Sequence, residues 1–212
     1  MEHKAKNNNS HLWKSIIVFY LKLLILFFII LLFFTILYFV PVFYDWIYGK
    51  EIVVEHIKEI KGNETDALTT ALLFMNWTNK NVHYPQLNEV KFHLGGGMGL
   101  YRFDNKTKFF FRGGPASWTI ITKMGRCGED ARYFVEVMNK SGFNARMVKP
   151  ETKEWDHAWA EFYTIDGYKI AVDPSSNQVI YDKFKWAADK NLTKLYAEDL
   201  NGKREDVTKE YI

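Results

Sequence analysis

Hydrophobic positions are laid out along this chain in two different ways. From Ile16 to Val40 they are continuous, 25 residues of Ile, Leu, Phe, Val and Tyr interrupted only by Lys22 and Thr35. A helix of that length rises about 37 Å, enough to cross a hydrocarbon layer about 30 Å thick. Beyond it the apolar residues recur periodically, the mark of a water-facing domain with a core. Leu68, Ala71, Leu72 and Met75 follow Asn63-Glu64-Thr65-Asp66, predicting a helix capped by Asn63 that ends near Asn79–Asn81. Ala131, Phe134, Val135 and Met138 predict a second helix, opening at Cys127 and closed by Ser141-Gly142. Period-two segments follow from Phe143 to Lys149 and from His157 to Tyr163, and a turn at Ile165-Asp166-Gly167 leads into Tyr168–Asp173. Residues 89–115 read as irregular, with Gly95-Gly96-Gly97 as a flexible turn between short strands. No Lys-Ser/Thr pair follows those glycines at the spacing of a phosphate loop, so a turn is the better reading.

The apolar run is too long for a signal-peptide core, and Pro41-Val42-Phe43-Tyr44 offers no small-residue cleavage site. It reads as an uncleaved anchor with Trp13, Tyr44 and Trp46 at its ends and Lys22 near enough to one end to snorkel. Lys4, Lys6 and Lys14 precede the span and only Lys50 follows closely. That bias keeps residues 1–15 in the cytoplasm and sends the rest outside. Sequons at Asn63, Asn76, Asn105, Asn139 and Asn191 agree with export. The expected organisation is a cytoplasmic N-terminus (1–15), a transmembrane helix (16–40), a linker or stalk (41–63) and one domain (64–212). A formal net charge of +3, with basic and acidic residues intermixed, gives no reason to expect nucleic acid.

The chain has one cysteine, so an exported domain would carry a free thiol and no internal disulfide. Cys127 lies in Gly125-Arg126-Cys127-Gly128-Glu129, in the first turn of its helix, where unpaired N–H groups and the helix dipole favour a thiolate and can bind an oxyanion. His157 comes 30 residues later, and Asp173 sixteen after that. Nucleophile, base and carboxylate in this order suggest a thiol enzyme of acyl transfer or amide hydrolysis. Hairpin parity decides whether the last two can meet. A two-residue Asp166-Gly167 turn would set Asp173 opposite Ala160, on the face away from His157. A three-residue loop with Gly167 in the left-handed position pairs Thr164 with Tyr168 and sets Asp173 on the face of His157. Taken singly, Cys127 could be a small buried hydrophobe, His157 a surface histidine and Asp173 a turn opener before Pro174. Their joint placement argues for a site. Trp118, Trp159 and Tyr84 read as aromatic core, and His56, His83 and His93 lack metal-ligand spacing, so no metal or cofactor is expected.

Gly125-Arg126-Cys127-Gly128-Glu129, Gly142-Phe143-Asn144-Ala145-Arg146 and Asp156-His157-Ala158-Trp159-Ala160-Glu161 resemble the three signature stretches of the transglutaminase-like cysteine superfamily, within the papain-like group. The resemblance covers roughly residues 66–212. The form Gly-Arg-Cys-Gly-Glu and Asp206-Val207-Thr208 with Tyr211 look most like the peptide:N-glycanase branch, although the paired-Cys zinc motif of that branch is missing. The resemblance implies an α+β fold, with the Cys helix packed on an antiparallel sheet. It also implies that Cys127 is the nucleophile, His157 the general base and acid, and Asp173 the residue that orients the imidazole. The function expected is a membrane-anchored, extracytoplasmic thiol hydrolase or acyltransferase acting on a peptide, glycopeptide or cell-envelope substrate. The alternative is a silent binding or scaffold domain.

Overall fold

The computed structural model describes residues 2–95, 97–151 and 156–212. Gly96 of the triple glycine and Trp155 beside Asp156 lie outside the described residues. The chain divides into two compact units, Met1–Phe43 and Tyr44–Ile212. The first is carried by helix α1 (Glu2–Tyr44), which continues through Pro41 rather than ending at Val40. Its most apolar 18-residue stretch has a mean hydropathy of 3.2 and none of it is buried. A core helix would be covered, so this one is long and apolar enough to cross a membrane.

The second unit opens with a π-helical turn, Asp45–Gly49, and helix α2 (Lys50–Lys61). A side chain at Gly49 would collide with Asp45, whose carboxylate accepts from Ser117 Oγ at 2.6 Å. Most of the stretch expected as linker or stalk, residues 45–61, is therefore part of the domain. Val53 is fully buried, and Ile57 and Ile60 pack behind it at helical spacing. Helix α3 (Ala67–Asn81) is capped by Asp66, not Asn63. Glu64 takes the N–H groups of Thr65 and Asp66, leaving Asp66 to accept from Thr69 N at 2.7 Å. The buried stripe of α3 turns accordingly: Ala67, Ala71, Phe74 and Met75 face the core, while Leu72 is exposed.

Residues expected as irregular form an antiparallel meander, β1 (Val90–Gly95), β2 (Met98–Phe103) and β3 (Lys106–Phe111). Its β2–β3 loop is Asp104-Asn105, both at positive φ (49° and 58°), the two-residue turn that Asn and Asp tolerate. Helix α4 (Ala116–Thr122) leads to α5 (Cys127–Lys140). On α5 Ala131, Phe134, Val135 and Met138 are buried as expected. At its end Gly142 (φ 93°) donates to Asn139 O and Phe143 N to Met138 O, completing a Schellman cap.

The main sheet contains β4 (Ala145–Pro150), β5 (Trp159–Tyr163), β6 (Lys169–Asp173), β7 (Gln178–Ile180), β8 (Leu195–Glu198) and β9 (Arg204–Asp206). All neighbours are antiparallel in the order β7-β6-β5-β4-β8-β9. One face carries Ala145, Met147, Ala160, Phe162 and Val172 and packs on α2, α3 and α5. The other carries Val148, Trp159, Ala171 and Ala197, covered by Ala187 of helix α6 (Lys183–Asp189) and by Val207 and Tyr211.

Candidate active site

Three separate elements bring the site together. The first is the entrance to α5. Arg126 is extended at the N-cap (φ −113°, ψ −179°), and Cys127 opens the helix with its side chain partly exposed. Glu129 is buried and holds this corner: its carboxylate accepts from Arg126 N at 3.0 Å and from Gly113 N at 2.6 Å. Its charge is thus engaged by backbone donors of two loops. A side chain at Gly125 would run into Asp130 and Val82, so glycine is needed there for close approach. Asp130 is buried with Oδ1 unpartnered. Burial, reinforced by Glu129 and Asp173, pushes its carboxyl up to about 8.

The second element is the β5–β6 hairpin. Gly167 stands at φ 81°, its N–H donates to Thr164 O, and Thr164 N donates to Tyr168 O at 2.9 Å. This is the three-residue loop, and it pairs Ala160 with Val172, one step from setting Trp159 opposite Asp173. His157 and Asp173 do meet: Nε2 and Oδ2 are 2.8 Å apart. The other carboxylate oxygen accepts from Ser175 N at 3.1 Å and Ser175 Oγ at 2.7 Å. Burial opposes charge on Asp173, but hydrogen bonds from His157 and the serines outweigh it and hold the carboxyl below its ordinary value.

Cys127 shares the cavity wall with His157 and, after Asp173, is the neighbour that most favours the imidazole's charged form. With Nε2 turned to Asp173, Nδ1 is the nitrogen left for the sulfur. Burial works against an imidazolium here, yet Asp173 and Cys127 outweigh it, pushing His157 up to about 9. The Cys127 sulfur lies 3.7 Å from Asp156 O. Trp159 lies parallel to the imidazole at 6.4 Å, and Trp186 packs edge-on against Trp159 at 4.6 Å. Trp159 is itself held from behind, its Nε1 donating to Tyr211 Oη at 2.9 Å and that hydroxyl donating to Glu161 at 2.8 Å. Trp159 is therefore core, as expected. Tyr211, whose place in the signature was read from resemblance, fixes the wall beside the histidine.

The third element is a short parallel bridge between His83 and Met124, with His83 N donating to Lys123 O and Gly125 N to His83 O. It delivers Tyr84 to Arg126, whose guanidinium lies 5.7 Å from the tyrosine ring. Tyr84 is half exposed on the cavity wall, not core as expected. Trp118 packs edge-on against Phe109 and Tyr44, away from the cavity. The cavity measures about 630 Å³ and has Cys127 and His157 on its wall, with Arg112, Arg126, Arg132, Lys149, Glu151 and Tyr196. Among the described residues no group of His, Cys, Asp or Glu is clustered to hold a metal. His56 instead hydrogen-bonds Tyr133 Oη at 2.7 Å, and burial, aided by Lys123, lowers it to about 4.

The sequence model of the transglutaminase-like superfamily matches residues 55–186, more than half of the chain, and the chain belongs to that superfamily. No curated protein matches it. Among solved structures it is similar to one titled a "Putative Cysteine Protease from Cytophaga hutchinsonii", at 16% identity and a TM-score of 0.39. The match covers 72% of this chain and 50% of that one, so the chain spans about half the length of that protein.

Proposed function

We propose that the domain is a membrane-anchored cysteine hydrolase acting on amide bonds of a peptide, glycopeptide or cell-envelope substrate. The observation that carries this reading is the His157 imidazole, 2.8 Å from the Asp173 carboxylate and on the same cavity wall as Cys127. The Cys127 thiolate attacks the carbonyl carbon, and the oxyanion turns to the free N–H groups of the α5 entrance. His157 gives its proton to the departing nitrogen as the C–N bond breaks, leaving a thioester. Water then attacks that carbon while His157 takes its proton. The C–S bond breaks, releasing the acid and restoring the thiolate. Asp173 keeps the imidazole oriented and favours its charged form. An amine in place of water would make the same thioester a transfer reaction.

Incubating the full chain with peptide, glycopeptide and envelope-fragment libraries, with and without an added primary amine, tests this reading. Free acid products that disappear with Cys127→Ala support hydrolysis, amine-coupled products indicate transfer, and no Cys127-dependent product returns the domain to a scaffold role. The anchor is α1, with the domain extracytoplasmic. Protease added to right-side-out vesicles should therefore degrade residues 50–212, and protection until the membrane is permeabilised would reverse the orientation.

A further inference from the structure

Among the described residues the charges around the cavity do not balance one another. Each described acid on the wall is already engaged. Glu129 is bound to two backbone N–H groups, Asp156 pairs with Arg112 at 2.5 Å, and Glu151 pairs with Lys194. Three cations on the same wall have no carboxylate partner among the described residues. Arg132 donates through Nη1 to Gly113 O at 2.7 Å. Arg126 lies against the Tyr84 and Phe110 rings with its buried Nε unpartnered. Lys149, half-buried near the end of β4, has no ion pair among the described residues; its pKa is lowered by burial, and the nearby Arg132 and Arg204 add to that against Glu198 and Glu129. Clustered, half-buried cations without counter-charge are costly, and an anionic ligand offsets that cost.

We infer that Arg126, Arg132 and Lys149 form an oxyanion subsite beside Cys127, which selects substrates carrying a carboxylate or phosphate near the scissile amide. Arg132 and Lys149 come from different elements, α5 and β4, so the subsite exists only in the folded domain. Arginine presents a planar fork suited to such a group, and lysine adds a point charge. This inference rests on Cys127 being the reacting centre, as proposed above.

Its test compares two alkylating agents of similar size, iodoacetate and iodoacetamide, on the full chain. The rate ratio, anion over neutral, reads the local charge and is normalised within each variant. Arg132→Gln and Lys149→Gln should each lower it about fivefold, the order expected for one partly screened charge within about 8 Å. Arg132→Lys should restore most of the loss, and raising salt should flatten the difference. Protection of Cys127 by peptides carrying Glu, phosphoserine or Gln at one position then identifies the group. Preference for Glu or for phosphoserine names the oxyanion, whereas equal protection by the Gln peptide overturns the inference. So does a ratio unmoved by both substitutions. Slow iodoacetamide labelling of the unmodified chain at low pH would instead sink the hydrolase reading, and the ratio would still report the subsite.

Discussion

The two faces of the six-stranded sheet are built on opposite principles, and the site lies where they meet. The α5 face is apolar at its centre, with Phe134, Val135, Met138, Ala160 and Phe162 buried to 1% exposure or less. The opposite face is charged at its centre. Glu161 has no exposure and accepts from Lys183 at 2.5 Å and Tyr211 at 2.8 Å, and pairs with Arg146 at 2.9 Å. Arg146 continues to Glu205 at 2.7 Å and Glu210 at 3.2 Å. The apolar face delivers the thiol by packing one helix. The charged face ties the C-terminal segment to β5 and so holds Trp159 beside His157. Packing sets where the thiol stands; a hydrogen-bonded network sets how the wall beside the imidazole is held.

The largest expected effects come from removing the partners themselves. Cys127→Ser or His157→Ala should lower turnover by about 10⁴-fold or more with the circular dichroism spectrum unchanged, and Asp173→Asn by less. Next come the two faces. Phe134→Ala should cost about 3–5 kcal/mol in urea unfolding, from lost burial and the cavity left behind. Glu161→Ala should cost a similar 3–5 kcal/mol, because Arg146 and Lys183 would be left partly buried without their shared carboxylate. The two losses should differ in salt response, that of Phe134→Ala staying constant and that of Glu161→Ala changing. Equal responses would erase the contrast between the faces. Tyr211→Phe should cost about 1–3 kcal/mol by stranding Trp159 Nε1 and one bond to Glu161.

A smaller effect concerns Asp130. Its folded carboxyl titrates at about 8 against an ordinary 3.8, so between those values the folded state keeps a proton that the unfolded chain releases. The stability this contributes is present below about pH 4 and is lost as pH rises through 8. Asp130→Asn should flatten the fall in unfolding free energy between pH 5 and 8, measured by urea titration at each pH. His157, raised from 6.5 to about 9, contributes in the same sense, fully below 6.5 and lost through 9. That part should survive in Asp130→Asn.

Much of this arrangement was legible in the sequence because it depends on local rules. The α5 helix follows from apolar period and its Gly142 cap, and the β5–β6 register from parity plus the one glycine able to sit at positive φ. What escaped was non-local or degenerate. Asn63 and Asp66 are both good caps, and only Glu64's bonds to the intervening N–H groups decide between them. Tyr84 reaches the cavity through a parallel bridge to residues 40 positions away, which no local pattern announces. Arg132 and Lys149 look like ordinary surface charges until α5 is laid on β4. The α2 helix is amphipathic, but its twelve residues fall between the apolar run and the domain and read as a linker or stalk.

The proposed hydrolysis depends on Cys127 and His157 acting as a charged pair. The most direct measurement of that pairing is the rate of Cys127 alkylation by iodoacetamide against pH, for the unmodified chain and His157→Ala. The rate at about pH 6, where an ordinary thiol is almost wholly protonated, should stay within a few-fold of that at pH 8, and His157→Ala should abolish this low-pH reactivity. A profile that falls about tenfold per pH unit below 8 in both proteins, as for a free thiol, would contradict it.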